Sequence, residues 1–527
     1  MSSIYKRALV CFMCILVGML VCSARVITVA TDNELSEAAT KQSTKRIDVA
    51  VCRGEVFDCN GKSITSSGYK AVTVVLPTDY ASVPLGEMLT GQELEDGLNK
   101  LRQGQAVTVW GKQPTTSGGW HTFYVPTRYN DSFTHILGYT NSDGYGVTGI
   151  EKYYDDILYS NQKVSLSYTT DSRGRMLAGL DFTVNEPTVS NKVTLTVDSE
   201  IQSVVEESLL EVERGAAVVI EAKTGKIKAL CSRPDFDPYD VAKYLNDENS
   251  PLINRAVCSY NVGSVFKPVI AVAAIESGYD QYRYICTGSV TVGGVTFKCH
   301  KSSGHGQLGL KEALAESCNT FFYTLAEILG AEKIYDTALQ FRFGQELDCN
   351  GGLVSNKGSL PTLEKLNTFP AELSNFSIGQ GDLMLSPIAL STLYCAIVNG
   401  GEYRLPYIVA SVEANGDTES FEPSLPTVAF KKSTADTLKE YLKNALQNGT
   451  GNVAYSEGIS AGGKTGTAQT GWKTDGRSIL NGWFCGFYEG KRTDYVIVIV
   501  KEDVKSGSVD CAPIFKNITE KLSKSGF

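Results

Sequence analysis

The sequence lacks the excess of basic residues that nucleic-acid-binding proteins carry. Its 49 lysines and arginines are outnumbered by 58 aspartates and glutamates, so the 527-residue chain has a net charge of −9. This balance argues against a nucleic-acid partner and against a polybasic membrane-binding surface. The chain also lacks internal repeats and the low-complexity composition of a disordered protein, and its length allows two to four folded domains.

The regular cysteine spacing of a disulfide framework is also missing. The 14 cysteines are scattered along the chain, and Cys11, Cys14 and Cys22 lie in an apolar N-terminal segment. A chain of this length needs no disulfides to be stable. We therefore expect mostly free thiols and a reducing environment outside the membrane.

Charged residues are absent between Ala8 and Ala24, a mostly apolar run that follows Lys6 and Arg7. Basic residues at the ends of such a run favour a transmembrane signal anchor over residues 8–28. The two leading cations place the N-terminus in the cytoplasm and the rest of the chain outside, in a single-pass cell-membrane (inner-membrane) protein. The alternative is a cleaved signal peptide, because Cys22-Ser23-Ala24 resembles a cleavage site.

Two folded regions are expected after the anchor. Short apolar alternations and Gly-rich turns predict a mostly β domain over residues 46–175, including a strand at 134–140. Residues 190–525 carry strand patterns at both ends and helical patterns between them, one of which runs over 310–329. The fold class is therefore α+β, with an antiparallel sheet covered by helices.

The sequence Ser264-Val265-Phe266-Lys267 opens an apolar helical pattern. Residues i and i+3 share one face of a helix, so the Lys267 amine is within reach of the Ser264 hydroxyl. A serine hydroxyl becomes a nucleophile when a base takes its proton, and a lysine serves as that base when burial or a second cation lowers its pKa. Alone, this pattern also fits an ordinary helix start with a solvated lysine.

Two further motifs follow in order, Ser317-Cys318-Asn319 and Lys464-Thr465-Gly466-Thr467. Each motif alone also fits a simpler structure. The first could be a polar kink in a helix, and the second could be a turn with an exposed lysine. In the order Ser-x-x-Lys, Ser-x-Asn, Lys-Thr-Gly, they form the set of the penicillin-binding proteins and serine β-lactamases. Agreement of all three by chance is far less probable than agreement of one.

The chain resembles the class B penicillin-binding proteins, which are monofunctional peptidoglycan D,D-transpeptidases. The resemblance covers residues 46–525 and implies a β-lactamase/transpeptidase-like domain preceded by a pedestal, often called the dimerisation domain. Val262 and Val265 stand where proline and threonine are commoner, but no reacting group is lost. Beyond the motifs, the matching segments include Arg53-Gly54, Gly149-Ile150-Glu151, Gly304-His305-Gly306 and Ser377-Ile378-Gly379-Gln380-Gly381.

The resemblance assigns catalytic roles to four of these residues. Ser264 would be the nucleophile that forms the acyl-enzyme, and Lys267 would accept its proton. Ser317 would relay a proton toward the leaving D-Ala amine, and Asn319 would orient Lys267 and the substrate amide. No cofactor is required for this catalysis, and β-lactams, which mimic D-Ala-D-Ala, are expected to acylate Ser264.

The same resemblance assigns substrate binding to the third motif. Lys464 would keep Lys267 partly neutral, and Lys464 and Thr465 would face the terminal carboxylate of a stem peptide. Gly466 would let the edge strand approach the substrate closely. The backbone N–H groups of Ser264 and Thr467 would form the oxyanion hole.

Cysteines also flank a hairpin upstream of the second motif, at Cys286 and Cys299, and His300 follows directly. Three interpretations stay open: a disulfide between Cys286 and Cys299, unpaired thiols, or a structural zinc site formed by Cys286, Cys299, His300 and a fourth ligand. His305 belongs to the Gly-His-Gly pattern of the family and is not counted among the expected ligands.

Other functions share the three motifs. A serine β-lactamase or a non-enzymatic β-lactam sensor or scaffold leaves the pedestal unexplained, and a D,D-carboxypeptidase usually lacks one. The β-lactamase Glu-x-x-Leu-Asn pattern is missing, since Glu364-Lys365-Leu366-Asn367 is one residue short. Roughly 150 residues before the large domain are too few for a glycosyltransferase as well as a pedestal. A separate glycan polymerase and proteins of a division or elongation complex are thus the expected partners.

Overall fold

The computed structural model describes residues 2–31, 33–66, 68–129, 132–177, 182–474 and 476–527. Residues 67, 130, 131 and 475 of the two expected domains therefore lie outside the described residues. The chain divides into two compact units, one made of residues 1–52, 68–127 and 160–189, the other of residues 53–67, 128–159 and 190–527.

The apolar N-terminus forms one helix, Ser2–Ala30, and a second helix follows at Asn33–Ser43. Residues 3–30 are long and apolar enough to cross a membrane. An α-helix rises about 1.5 Å per residue, so a hydrocarbon core of about 30 Å requires about 20 residues. The helix expected over residues 8–28 is therefore present, and it extends beyond these bounds at both ends.

Besides these two N-terminal helices, the first unit contains two small sheets and two further helices. Val75, Val107 and Val109 on one sheet pack with Leu85 and Leu101 of the helices. The strand orders are Thr44–Arg53, Tyr159–Thr169, Thr183–Asn185 in one sheet and Val107–Trp110, Gly68–Val75, Trp120–Thr127 in the other; the helices are Ser82–Met88 and Gly91–Arg102.

An antiparallel five-stranded sheet forms the centre of the second unit. Apolar side chains of its central strands are buried on both faces, such as Val498 and Ile499, because helices cover the two sides. This arrangement confirms the expected α+β class. The strand order is Ile227–Arg233, Gly215–Glu221, Asp494–Lys501, Arg477–Glu489, Ala461–Thr474.

The remaining elements of the second unit surround this sheet. The longer helices are Ser199–Ser208, Lys267–Glu276, Asn319–Leu329, Ala331–Leu339, Pro370–Ser377, Pro387–Val398, Lys432–Asn448 and Ala512–Ser525. Shorter helices are Thr134–Leu137, Gly149–Tyr153, Asp155–Leu158, Leu310–Ala315, Leu363–Thr368 and Gly507–Asp510. A second sheet has the order Glu55–Phe57, Lys192–Leu195, Val409–Ala414, Asp417–Ser420, and strand pairs include Arg283–Cys286 with Gly306–Gly309 and Ser289–Val292 with Val295–Lys298.

Residues 53–67 and 128–159 differ from the expected contiguous domain over 46–175, because they pack within the second unit. Glu55–Phe57 pairs in parallel with Lys192–Leu195. The fully buried Glu151 carboxylate forms ion pairs with Arg53, at 2.9 Å, and with Arg128. These contacts join residues that are distant in the sequence, and the local patterns do not predict them. The strand expected at 134–140 is also wrong, since Thr134–Leu137 is a helical turn.

Candidate active site

Ser264 lies in a short 3-10 turn, Gly263–Phe266, directly before the helix Lys267–Glu276. The turn is held by its glycine: Gly263 N–H donates to the Gly379 carbonyl oxygen at 2.7 Å. Gly263 has a φ of +70°, and a Cβ atom there would lie 2.8 Å from the Thr467 carbonyl oxygen. The nucleophile turn thus packs against two other segments without room for a side chain at position 263.

Lys267 is completely buried beneath this turn. Its Nζ atom donates hydrogen bonds to the Ser317 carbonyl oxygen at 2.7 Å, to Ser317 Oγ at 3.1 Å and to Asn319 Oδ1 at 2.7 Å. The first two motifs are therefore brought together by one amine. Among the described residues, the Ser264 hydroxyl makes no hydrogen bond, and such catalytic contacts often tighten only when substrate binds.

The environment of Lys267 suits a base. Burial lowers its pKa well below the usual value for a lysine, and the nearby positive charge of Lys464 lowers it further. The Phe322 ring lies 5.2 Å from Nζ. A neutral lysine can accept a proton from a serine hydroxyl at neutral pH, whereas a solvated one is almost fully protonated.

The second motif lies where the helical pattern of residues 310–329 is interrupted. The expected single helix is wrong, because the structure has Leu310–Ala315 and Asn319–Leu329 with a turn between them. Ser317 has a φ of +53°, which ends the first helix and turns its carbonyl and hydroxyl oxygens to Lys267. Asn319 begins the second helix, so the break itself places both groups.

The third motif belongs to the edge strand Ala461–Thr474 of the central sheet, called the motif strand below. Lys464 is 1 % exposed, and burial lowers its pKa to about 7. Its Nζ atom donates to the Thr465 carbonyl oxygen at 3.2 Å and to Thr450 Oγ1 at 3.4 Å. Thr450 was not expected at the site, because nothing in its local sequence distinguishes it from a residue of an ordinary Gly-rich turn.

At Gly466 and Thr467 the motif strand packs against the nucleophile turn. A Cβ atom at Gly466 would lie 3.0 Å from Val265 Cγ1 and 3.1 Å from the Val262 carbonyl oxygen. The structure thus gives Gly466 a packing role against the nucleophile turn, in addition to the expected approach to substrate. Thr467 lies beside this turn, its hydroxyl accepts from Gly507 N–H at 3.0 Å, and Gln380 Nε2 donates to its carbonyl oxygen at 3.5 Å.

A cluster of sulfur and nitrogen donors lies behind the second motif. The Cys286, Cys299, His305 and Cys318 donor atoms all lie within 4.8 Å of one another. Of the candidate zinc ligands, Cys286 and Cys299 lie in this group, together with His305 and Cys318, while His300 Nδ1 lies beside it, 3.9 Å from Cys299 Sγ. His300 directly follows Cys299, whereas Gly304, with a φ of +77°, turns the chain so that His305 faces both thiols.

A disulfide between Cys286 and Cys299, one of the three interpretations left open by the sequence, is not formed, since both are free thiols in the structure. Cys318 is the middle residue of the second motif, and its thiol lies 3.9 Å from that of Cys299. The cluster was only half predicted because its members come from three chain segments. The signal that was overlooked is the histidine of Gly304-His305-Gly306 next to a thiol inside the motif.

Comparison with known families identifies the larger unit. Residues 215–520 match the model of the penicillin binding protein transpeptidase domain. The chain is 30% identical to Stage V sporulation protein D of Bacillus subtilis over an alignment of 414 positions, which covers 74% of this chain and 62% of that protein. It is 25% identical to the peptidoglycan D,D-transpeptidase MrdA of Escherichia coli K12 over an alignment of 542 positions, gaps included, which covers 88% of this chain and 84% of that protein.

Solved structures show the same fold. The D,D-transpeptidase domain of a peptidoglycan glycosyltransferase from Eggerthella lenta is 25% identical, has a TM-score of 0.66 and covers 90% of this chain and 99% of its own. Penicillin binding protein 3 of Mycobacterium tuberculosis, solved in complex with ampicillin, has a TM-score of 0.67 at 22% identity, with 90% and 95% of the two chains covered. The family match extends over more than half of the chain and contains all three motifs. The chain belongs to the penicillin-binding protein transpeptidase family, in its class B branch.

Proposed function

We propose that the protein is a serine D,D-transpeptidase that cross-links peptidoglycan stem peptides through an acyl-enzyme on Ser264. The observation that carries the proposal is the buried amine of Lys267, three residues after Ser264. This amine donates hydrogen bonds to both oxygens of Ser317 and to Asn319 Oδ1. The MrdA relatives are named peptidoglycan D,D-transpeptidases, and a neighbour of known structure binds ampicillin.

The reaction follows from the positions of these groups. Neutral Lys267 takes the Ser264 proton while Ser264 Oγ attacks the carbonyl carbon of the penultimate D-Ala. The developing oxyanion is stabilised by the N–H groups of Ser264 and Thr467. Ser317, bonded to Lys267, passes a proton to the leaving D-Ala amine. An amine of a second stem peptide then attacks the ester, restores Ser264 and forms the cross-link.

The alternative is a β-lactamase or a β-lactam sensor that forms the same acyl-enzyme. The residue nearest to a β-lactamase motif, Glu364, is exposed on the helix Leu363–Thr368. No observation favours a deacylating role for this carboxylate. Transpeptidation is therefore the function that the site supports best.

Labelling of the full-length chain with fluorescent penicillin tests the nucleophile. We expect Ser264→Ala to abolish labelling and Ser433→Ala, an exposed serine at a helix start, to leave it unchanged. Adding a D-amino acid acceptor to a reaction with a thioester donor should divert the acyl group from water to the amine. Labelling that persists in Ser264→Ala, or hydrolysis unaffected by the acceptor, would contradict the proposal.

A structural zinc ion is a second element of the proposal. The distances between donors are 3.5 Å from Cys286 Sγ to His305 Nδ1, 3.6 Å from Cys299 Sγ to His305 Nδ1 and 3.9 Å from Cys299 Sγ to Cys318 Sγ. Zinc with sulfur ligands at about 2.3 Å and nitrogen at about 2.0 Å requires edges of roughly 3.5–3.8 Å in a tetrahedron. The donor set thus fits a structural Cys₃His site, which would hold Cys318 and with it the turn of the second motif.

Metal analysis of the purified full-length chain tests the zinc site. We expect about one equivalent of zinc, lost in His305→Ala, because His305 Nδ1 lies 3.5 Å and 3.6 Å from two thiols. Zinc should be retained in His300→Ala, because His300 Nδ1 lies farther away, at 3.9 Å from Cys299 Sγ. Less than about a tenth of an equivalent in the unmodified chain would rule the site out.

The apolar helix Ser2–Ala30 supports a single-pass membrane anchor with the catalytic unit outside the cell. Lys6 and Arg7 at its start favour a cytoplasmic N-terminus. The substrates and partners follow from this location: stem peptides and β-lactams reach the outer face, and a separate glycan polymerase with division or elongation proteins supplies the glycan strands.

A further inference from the structure

The loop that precedes the motif strand carries Gly449-Thr450-Gly451, and Thr450 contacts two residues of the third motif. Its Oγ1 lies 3.0 Å from Thr465 Oγ1 and accepts a hydrogen bond from Lys464 Nζ at 3.4 Å. Within the described residues, Lys464 Nζ makes one other hydrogen bond, to the Thr465 carbonyl oxygen at 3.2 Å. One N–H of a protonated Lys464 is therefore left without a protein acceptor.

The backbone of Thr450 is fixed from the other side of the site. Its N–H donates to the Ala315 carbonyl oxygen at 3.0 Å, two residues before Ser317. Its carbonyl oxygen accepts from Ser508 Oγ at 2.9 Å. A Cβ atom at Gly449 would lie 2.3 Å from the same Ala315 oxygen, so the loop lies tightly against the first helix of the broken pair. Thr450 therefore connects the second motif to the third.

The Thr450 hydroxyl accepts a hydrogen bond from Lys464 and forms a second one with the Thr465 hydroxyl. An ammonium group donates and never accepts, so Thr450 Oγ1 is the acceptor for Lys464. Its own proton is free to point to Thr465 Oγ1, and in that direction the Thr465 proton is left to be donated elsewhere. Our inference uses this direction, in which Lys464 N–H donates to Thr450, Thr450 O–H donates to Thr465, and Thr465 O–H is a donor beside the ammonium.

A neutral residue suits this position better than an acid. A buried ammonium needs acceptors, but a carboxylate at position 450 would neutralise Lys464 and compete with an anionic ligand. A hydroxyl compensates the burial of Lys464 while its positive charge stays available for a carboxylate. The arrangement is selective for acyl donors that end in a negative charge.

We propose that Thr450 is a positioning residue that aims the donors of Lys464 and Thr465 at the terminal carboxylate of the acyl donor. This inference rests on the proposed transpeptidase function and adds a specificity role that none of the three motifs contains. It requires the Thr450 hydroxyl, and it predicts that removal of the hydroxyl harms carboxylate-bearing donors selectively.

The test compares two donors on the full-length chain in detergent: benzoyl-D-alanyl-thioglycolate, which ends in a carboxylate, and its primary amide. Thr450→Val keeps the shape of the side chain and removes the hydroxyl. Loss of a hydrogen bond to a charged group predicts a fall of about tenfold in kcat/KM for the acid. The amide should change less than about twofold, since it does not use the charge of Lys464. Thr450→Ser should restore the acid rate.

Thr437→Val is the matched control, because it removes a hydroxyl that bonds only to the Ser433 carbonyl oxygen of its own helix. Equal losses for acid and amide in Thr450→Val, or a Thr450→Ser chain as impaired as Thr450→Val, would overturn the inference. If Thr450→Val does not fold, the same acid-to-amide comparison between Thr450→Ala and Thr450→Ser decides. A wild-type chain that penicillin fails to label at Ser264 would instead refute the proposed function.

Discussion

At the scale of single residues, the chemistry depends on two lysines that are both buried. Lys267 is fully buried and bonds to Ser317 and Asn319, whereas Lys464, 1 % exposed, bonds to Thr450 and Thr465. Burial lowers the pKa of each, and the charge of Lys464 adds to the effect on Lys267. Burial thus favours the neutral form of Lys267, as a base requires, and brings the loss of the Lys464 charge to about pH 7.

The lowered pKa of Lys464 predicts how the rate of acylation depends on pH. Because burial lowers the pKa of Lys464 to about 7, its charge is lost as the pH rises through 7. For a donor with a carboxylate, kcat/KM should fall above pH 7, with a slope approaching tenfold per pH unit. Stopped-flow acylation between pH 5 and 10 measures it.

Lys464→Arg supplies the control for this profile, since an arginine stays charged above pH 12. The alkaline fall should disappear in that variant, even if its maximum rate is lower. If kcat/KM falls above pH 7 in the same way in the wild type and in Lys464→Arg, a group other than Lys464 causes the fall.

Single residues also show where prediction from the sequence ends. The three motifs were identified from residue order and spacing, because their chemistry needs these residue types. His305 lies among the thiols because the chain turns at Gly304, and Thr450 lies in the turn after the helix Lys432–Asn448. The direction of such turns is not encoded in hydrophobic periodicity, so spacing alone could not show which histidine, His300 or His305, lies closer to the thiols.

At the scale of secondary structure, breaks in the elements place the reacting groups. The apolar period over residues 310–329 is continuous, which predicts one helix, but Ser317 adopts a φ of +53° between two shorter helices. The hydrogen bonds from Lys267 to both oxygens of Ser317 accompany this strained turn. Tertiary contacts override the local pattern where function requires it. In contrast, the strand pattern expected at the end of residues 190–525 is confirmed by the strand Asp494–Lys501, which is regular and mostly buried.

Two glycines of the segment Ser377–Gly381 allow a test at this scale. A Cβ atom at Gly379 would lie 2.0 Å from the Gly263 carbonyl oxygen, whereas one at Gly381 would meet nothing closer than 3.5 Å. Both have positive φ, +76° and +75°. Gly379→Ala should displace the nucleophile turn and slow penicillin acylation at least tenfold, about 1.4 kcal/mol or more.

Gly381→Ala carries only the backbone strain and is the matched control. It should lower the free energy of unfolding by about 1 kcal/mol and leave the acylation rate within about twofold of the wild type. Stability from urea unfolding and acylation rates together separate the two effects. Equal acylation rates in the two variants would show that the contact between positions 263 and 379 does not place Ser264.

At the scale of the whole molecule, the chain combines an apolar helix, a smaller unit and the catalytic unit. The α+β class and the helix were predicted from composition and periodicity. The division between the units was predicted less well, because residues 53–67 and 128–159 return to the larger unit through the sheet and the Glu151 ion pairs. Such long-range pairing depends on geometry that a linear pattern does not contain.

The membrane anchor proposed for the helix Ser2–Ala30 gives a prediction for the whole chain. The full-length chain should remain in the membrane pellet after alkaline extraction, and protease added to spheroplasts should digest the catalytic unit but not an N-terminal tag. Lys6→Glu combined with Arg7→Glu should reduce the fraction in this orientation. A soluble mature chain that begins after Ala24 would establish a cleaved signal peptide instead.

Mass mapping of the residue acylated by penicillin tests whether Ser264 is the nucleophile. The full-length chain is labelled with benzylpenicillin, digested and analysed for the peptide that gains the mass of the intact antibiotic. We expect a single acylated peptide containing Asn261-Val262-Gly263-Ser264, with the modification on Ser264. Acylation at any other residue, or a chain that remains unmodified at saturating antibiotic, would contradict it.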